Sequence, residues 1–317
     1  AIFAVCFYLP LAMVPVVKLG NGVEMPLLAA GSGGWNSSRA FQSFSAALKA
    51  GFTAIDTAHE YGNQEGVAKA LQTVPRKSVF VETKVPGCVT DPSSLNPFRC
   101  YSATQKNLAN DLHELNLSYV DLVLLHYPPA PTWIVRSCGN LTGSCEMIRS
   151  QWRAMEEFYK AGKARAIGVS NYCASCTDCL RYVDVSPMVN QIRYHVGMGT
   201  DPQGFMTYGK EHGMVVQAYG SLGNPPLNPL DPGIDPIILH GNVTTRIGRV
   251  HNKSSVQVAL KWLVQQGIPA VTKSNNPIHL AEDLDLWSFN LTDGDIAELN
   301  AMTKPKGSPS FACQDHG

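Results

Sequence analysis

Short β-rich runs alternate with helical patterns eight times along the chain, and no other feature limits the fold as strongly. Strand-like runs fall at 27–30, 53–55, 79–85, 120–125, 164–169, 188–192, 215–218 and 269–272. Helical patterns follow at 38–50, 64–73, 102–115, 148–161, 175–183, 203–211, 255–266 and 278–284. Gly162, Gly213 and Gly267 stand where helices end. The run Val-Asp-Leu-Val-Leu-Leu is apolar on both faces, as a buried parallel strand requires. Eight such units predict an α/β fold, a single (β/α)8 TIM barrel. An open doubly wound sheet is the rival, but Gly31-Ser32-Gly33-Gly34 does not match its glycine fingerprint. Ahead of the first unit, residues 17–25 read as a hairpin turning at Asn21-Gly22, placed to close the barrel floor. The expected layout is an apolar leader at 1–13, the barrel at 14–304 and a short tail at 305–317.

Polar residues gather where a barrel enzyme needs them. Asp56 closes the second strand, Lys84 the third and His126 the fourth. Ser170 and Asn171 close the fifth, Gln191 the sixth, Tyr219 the seventh, and Lys273 with Ser274 the eighth. Seven consecutive strands thus deliver polar or aromatic groups to the C-terminal rim, the face on which barrel enzymes build their sites. The irregular stretches 87–100, 128–147 and 220–238 follow strands and belong to the same rim.

Composition excludes some partners and leaves the compartment open. Hydrophobic residues are 44% and charged residues 16% of 317, enough for a large core. Lys plus Arg (25) equals Asp plus Glu (25), so no basic surplus points to nucleic acid. Residues 1–17 carry no charge; they resemble the apolar part of a secretory leader and are too short for a confident membrane span. Nine cysteines leave eight beyond Cys6. Cys88 with Cys100, and Cys138 with Cys145, bracket loops and are expected to pair in an oxidising compartment. Cys173, Cys176 and Cys179 form a cluster without the fourth ligand that a zinc site needs, so no metal is expected. Cys313 lies near the end. Free thiols in a cytoplasmic or organellar enzyme are the alternative. Glycosylation acceptors occur at Asn36, Asn116, Asn140, Asn242, Asn252 and Asn290. Thr292, after the last of these, is expected to cap a helix, and the turn at Asn252 to lead into one at Ser255.

At Asp56-Thr57-Ala58-His59-Glu60-Tyr61-Gly62-Asn63-Gln64 the chain resembles the aldo-keto reductases. Gly22-Val23-Glu24-Met25-Pro26, Gly168-Val169-Ser170-Asn171-Tyr172 and Val271-Thr272-Lys273-Ser274 match further motifs of that family, in order. The resemblance covers about residues 17–302. It implies reduction of an aldehyde or ketone by hydride from NADPH, with NADH weaker. Tyr61 would be the general acid, Lys84 would lower its pKa, Asp56 would hold Lys84, and His126 would orient the carbonyl.

The same resemblance assigns Ser170, Asn171 and Gln191 to the nicotinamide carboxamide and Tyr219 to stacking on its ring. Ser221, Leu222 and Gly223 would follow the pyrophosphate, Lys273 and Ser274 the 2′-phosphate, and Glu282 and Asp283 the adenine. His279 stands where relatives usually carry arginine, and Asp283 where they commonly carry asparagine. Trp35, Tyr127 and Trp133 are candidate pocket walls; many relatives have tryptophan in place of Tyr127. The competing reading is a catalytically retired barrel that binds nucleotide as a sensor or interaction subunit. The intact set Asp56, Tyr61, Lys84 and His126 weighs against it.

Overall fold

The computed structural model describes residues 14–88, 96–129, 143–223 and 235–305. The leader at 1–13, Trp133, Cys138, Asn140, Cys313 and the tail beyond Pro305 lie outside the described residues.

The chain opens with a hairpin, β1 (Val16–Lys18) against β2 (Glu24–Pro26), antiparallel with Val17 opposite Met25. Its turn is closed by Leu19 N–H donating to the Val23 carbonyl, with Gly22 at φ 85°. Then follow β3 (Leu28–Gly31), α1 (Ser37–Ala50), β4 (Ala54–Asp56), α2 (Gln64–Leu71), β5 (Phe80–Val85) and α3 (Pro97–Leu115). Next come β6 (Val120–Leu125), α4 (Ser144–Lys160), β7 (Ala164–Ser170), α5 (Ala174–Asp178), β8 (Val189–Arg193) and α6 (Phe205–Glu211). The chain continues through β9 (Val215–Tyr219), α7 (Pro236–His240), α8 (Asn242–His251), α9 (Ser255–Val264), β10 (Ala270–Thr272), α10 (Pro277–Leu284) and α11 (Asp293–Asn300).

Strands β3 to β10 pair in parallel and in chain order, and β10 closes on β3 through Ala270–Leu28 and Thr272–Ala30. This is the (β/α)8 barrel. Its interior holds Ala29, Ala54, Phe80, Leu122, Leu124, Ala166 and Val189, together with Leu19 and Met25 of the hairpin. The hairpin therefore plugs the floor, and Asn21 Nδ2 fastens it by donating to the Arg165 carbonyl at 2.8 Å. A second core lies between strands and helices, with Phe44, Trp152, Tyr194 and Trp262 among its large side chains.

Helix starts follow their caps. Ser254 and Gln257 form a reciprocal capping box on α9, and Thr292 with Asp295 does the same on α11. Asn96 caps α3 and Pro97 occupies its first position, so this helix begins five residues before the periodic pattern suggested and takes in Cys100. The start of α4 at Ser144 likewise shortens the expected loop 128–147. Helices α7 and α8 did not register as periodic patterns, and α7 takes the end of the stretch expected to be irregular at 220–238. Helix α5 stops at Asp178, well short of the expected 183.

The cysteines pair differently from expectation. Cys88 bonds Cys100, with Cα atoms 4.9 Å apart. Cys145, however, bonds Cys179, with Cα atoms 5.0 Å apart, so the expected Cys138–Cys145 bridge does not form. Cys145 lies in the first turn of α4 and faces the end of α5; it is not part of an irregular loop. Cys173 and Cys176 are also disulfide-bonded.

Candidate active site

The rim groups are set by strand ends. Asp56 is the last residue of β4 and Lys84 the penultimate residue of β5. His126 follows β6, its N–H donating to the Val85 carbonyl at 2.8 Å and so extending the ladder by one step. Tyr61 ends a single 3₁₀ turn, His59–Tyr61, closed by its own N–H to the Ala58 carbonyl. Asn63 locks that turn in place: its Nδ2 donates to the carbonyls of Ser32 and Trp35, and its Oδ1 accepts from the Thr57 hydroxyl. Gln64 then joins Asp111 and Thr83. The signature is thus largely a set of braces that fix where Tyr61 stands.

The four expected catalytic residues come together. Lys84 Nζ donates to Asp56 Oδ2 at 2.6 Å and to the Thr57 carbonyl at 3.0 Å. An ammonium has three donors, so one remains. Nζ lies 5.3 Å from the centre of the Tyr61 ring. The His126 ring meets Tyr61 edge-on, centroids 5.7 Å apart. Gly33 backs the phenol: a Cβ there would sit 3.4 Å from its oxygen.

Electrostatics modify one expectation. Burial lowers the Lys84 pKa, but Asp56, Tyr61 and Glu82 outweigh it and hold the side chain firmly charged. Burial also acts on Tyr61, and here it exceeds the pull of Lys84: the phenol is pushed up to about 12. Lys84 restrains a pKa that burial raises, and does not bring it below the ordinary value as expected. The phenol therefore rests protonated, the form a proton donor needs. His126 is depressed by burial, with the Glu60 hydrogen bond opposing.

Beside this group lies a polar network. Ser170 Oγ donates to the Gln191 carbonyl at 2.8 Å. Asn171 Nδ2 donates to the His126 carbonyl at 2.9 Å, and its Oδ1 accepts from the Tyr219 hydroxyl at 2.9 Å. Gln191 turns its Nε2 toward Asp56, Glu82 and Gln217, each within 2.9 Å. Ser221 is buried and donates to the carbonyls of Ala218 and Val271; Leu222 and Gly223 continue from it. Lys273 Nζ donates to the Gly33 carbonyl at 3.0 Å and lies 5.0 Å from the Trp35 ring centre, with Arg39 at the same distance. Ser274 Oγ accepts from Asn276 N–H at the start of α10. Asp283 is turned inward, accepting from Thr272 at 2.8 Å, and burial pushes its pKa up to about 7. His279 and Glu282 lie exposed on α10 and stand apart from the tetrad. Trp35 is 5% exposed and packs with Lys273, whereas Tyr127 adjoins the His126 ring at 5.5 Å.

Three polar residues of the site escaped the sequence reading: Glu60, Glu82 and Gln217. Glu60 occupies a variable position of the signature. Glu82 and Gln217 share strand parity with Lys84 and Tyr219, respectively, so inward-facing alternation was the signal that could have found them.

A closed parallel barrel with a carboxylate–ammonium pair beside a protonated phenol, all on the C-terminal rim, defines a barrel enzyme equipped for proton transfer. Residues 25–304 match the Aldo/keto reductase family, and the chain belongs to that family of oxidoreductases. It is 32% identical over 300 residues to a glyoxal reductase of Bacillus subtilis, covering 93% of this chain and 95% of that one. It is also 32% identical over 311 residues to a protein of Aspergillus clavatus named as a probable NAD(P)H-dependent D-xylose reductase, covering 92% and 91%. Among solved structures, an aldo-keto reductase from a deep-sea metagenome superposes with a TM-score of 0.77 at 28% identity, covering 95% of this chain and all of that one. Among the described residues, no helix is long and apolar enough to cross a membrane.

Proposed function

We propose that the protein reduces aldehydes or ketones to alcohols with NADPH, and that Tyr61 is the proton donor. The observation that carries this reading is Lys84, clamped by Asp56 at 2.6 Å, beneath a Tyr61 phenol that stays protonated.

The residues present fit a dinucleotide. The Tyr219 hydroxyl is anchored by Asn171, which fixes the ring as a flat surface for the nicotinamide. Among the described residues the buried Trp35 indole N–H has no hydrogen-bond partner, and Lys273 sits against the same ring, so this corner has a donor and a cation to offer to phosphate oxygens. Reduced nicotinamide, when bound, supplies the hydride. His126 and the Tyr61 hydroxyl then hold the substrate oxygen, Tyr61 gives it the proton, and Lys84 stabilises the phenolate that remains.

Replacing Tyr61 with Phe keeps the ring and removes the proton. The expected loss in kcat is roughly 10²–10⁴-fold with NADPH affinity retained; a variant with ordinary turnover rules Tyr61 out. NADPH is the preferred cofactor because Lys273 keeps a cation, but the margin is narrow because His279 replaces the planar fork of arginine. Dissociation constants for NADPH and NADH measured side by side decide this, and equal values dismiss the preference.

We also propose an oxidising, secretory or extracellular location. Two bonded cysteine pairs, further bonded cysteines at 173 and 176, and five exposed acceptor asparagines (Asn36, Asn116, Asn242, Asn252 and Asn290) support it. The natural protein should lose mass on treatment with an N-glycosidase and resist alkylation before reduction. Free thiols and an unchanged mass point instead to a cytoplasmic or organellar enzyme.

A further inference from the structure

Glu60 precedes Tyr61 on the 3₁₀ turn, and its two carboxylate oxygens are both engaged. Oε2 lies 2.9 Å from Nδ1 of His126, and Oε1 accepts from the Tyr127 hydroxyl at 2.7 Å. Burial alone would raise this carboxyl, but the two hydrogen bonds prevail and hold its pKa below the ordinary range. An ionised carboxylate only accepts. The proton between Glu60 and His126 therefore belongs to Nδ1.

This assignment limits what His126 can do. A neutral imidazole carries one N–H. With that N–H turned to Glu60, Nε2 is a bare lone pair, and no group among the described residues hydrogen-bonds it. A substrate carbonyl oxygen is also an acceptor, so the two lone pairs would repel. His126 can donate to a carbonyl only when Nε2 is protonated as well, that is, as imidazolium. The groups facing the ring divide on this point. Burial, the largest influence, and the Lys84 ammonium oppose the cation and hold the midpoint below the ordinary imidazole value. Glu60 and Asp56 favour the cation and keep the midpoint from falling further. Glu60 is the one in direct contact, with a side chain 38% exposed against 17% for His126.

We infer that Glu60 is a positioning residue that fixes the His126 tautomer and sustains its charged form, making His126 a cationic donor to the substrate oxygen during reduction. The neutral ring, by contrast, accepts from an alcohol hydroxyl and suits the reverse reaction. Carbonyl reduction thus weakens as pH rises through the His126 midpoint, while alcohol oxidation gains. The role in catalysis rests on the reductase reading above; the tautomer and charge assignment does not.

The test compares the parent protein with Glu60→Gln, which keeps the shape and a hydrogen-bond acceptor but removes the charge. The His126 ring protons are followed by NMR from pH 4 to 9 without cofactor, the resonance being identified by its loss in His126→Asn. Loss of an adjacent opposite charge should lower the His126 midpoint by about one unit or more. Tyr127→Phe, which removes one hydrogen bond from Glu60 but leaves its charge in place, should not lower the midpoint. In parallel, the falling limb of kcat/KM for NADPH-dependent aldehyde reduction should move to lower pH by the amount NMR reports. An unmoved NMR midpoint in Glu60→Gln overturns the inference, and so does a shifted midpoint with an unmoved rate profile. A parent that shows the NMR shift but reduces no carbonyl compound sinks the reductase reading and leaves the Glu60–His126 pairing standing.

Discussion

Glu82 precedes Lys84 by two positions on β5, so both side chains enter the barrel on the same side. It is 1% exposed and takes hydrogen bonds from Gln191 Nε2 at 2.8 Å and Gln217 Nε2 at 2.9 Å. Burial, then the nearby Asp56 carboxylate, push its pKa up to about 8. Two carboxyls and one ammonium share this pocket, and the neutral form of Glu82 keeps it near charge balance. The consequence for stability has a definite sign. Between an unfolded value near 4.5 and a folded value of about 8, the native state holds a proton that the unfolded chain has released. That contribution is complete at low pH and is lost as pH rises through 8. Glu82→Gln cannot ionise, so its melting temperature relative to the parent should climb between pH 5 and pH 8.5. A difference that does not change with pH contradicts a neutral Glu82.

Elements here are positioned by close backbone approach as much as by side chains. Gly66, in the first turn of α2, is an example: a Cβ there would fall 1.9 Å from the Ser37 carbonyl oxygen at the start of α1. Backbone cannot give way as a side chain can. Helix propensity alone favours alanine over glycine by about 1 kcal/mol. Overpacking costs about 1–3 kcal/mol and occasionally more, and it should win at this contact. Gly66→Ala is therefore expected to lower the melting temperature. It should also lower kcat, because α2 follows directly from Asn63 and the Tyr61 turn. A variant as stable and as active as the parent would falsify the tight crossing. The Cys145–Cys179 bridge acts at the same scale, tying α4 to α5 across 34 residues of sequence.

Across the whole molecule, the two ends of the barrel do different work. The floor is sealed by Leu19 and Met25 from the hairpin against Ala29, Phe80 and Met188. The rim carries Asp56, Lys84 and His126. Met25 is 1% exposed, and Met25→Ala should cost about 2–5 kcal/mol of stability through the cavity it leaves. The folded variant should keep its kcat and KM within about twofold, since the active site of such a barrel lies at the C-terminal face and the floor serves stability. Loss of activity equal to the loss of stability, measured well below the melting temperature, would show that the floor and the rim are coupled.

The barrel and its order of strands were written in local pattern. Period-2 and period-3.6 runs, capping residues such as Ser254 and Thr292, and the Asn21-Gly22 turn act over a few residues, so they survive in the sequence as signals. The positions of Asp56, Lys84 and His126 were legible for the same reason: each is a polar residue interrupting an apolar strand at its C-terminal end. Short α7 and α8 were not, having too few turns to establish a period. Other features required the closed barrel. Cys145 finds Cys179 and not Cys138 because the closed barrel brings the first turn of α4 beside the residue that follows α5. Glu60 meets His126 from 66 residues away, and Glu82 meets Gln217 from 135. Burial, not the Lys84 charge, decides the protonation of Tyr61. These are distances and dielectric environments, which arise only when strands remote in sequence become neighbours; residue type and spacing carry no record of them.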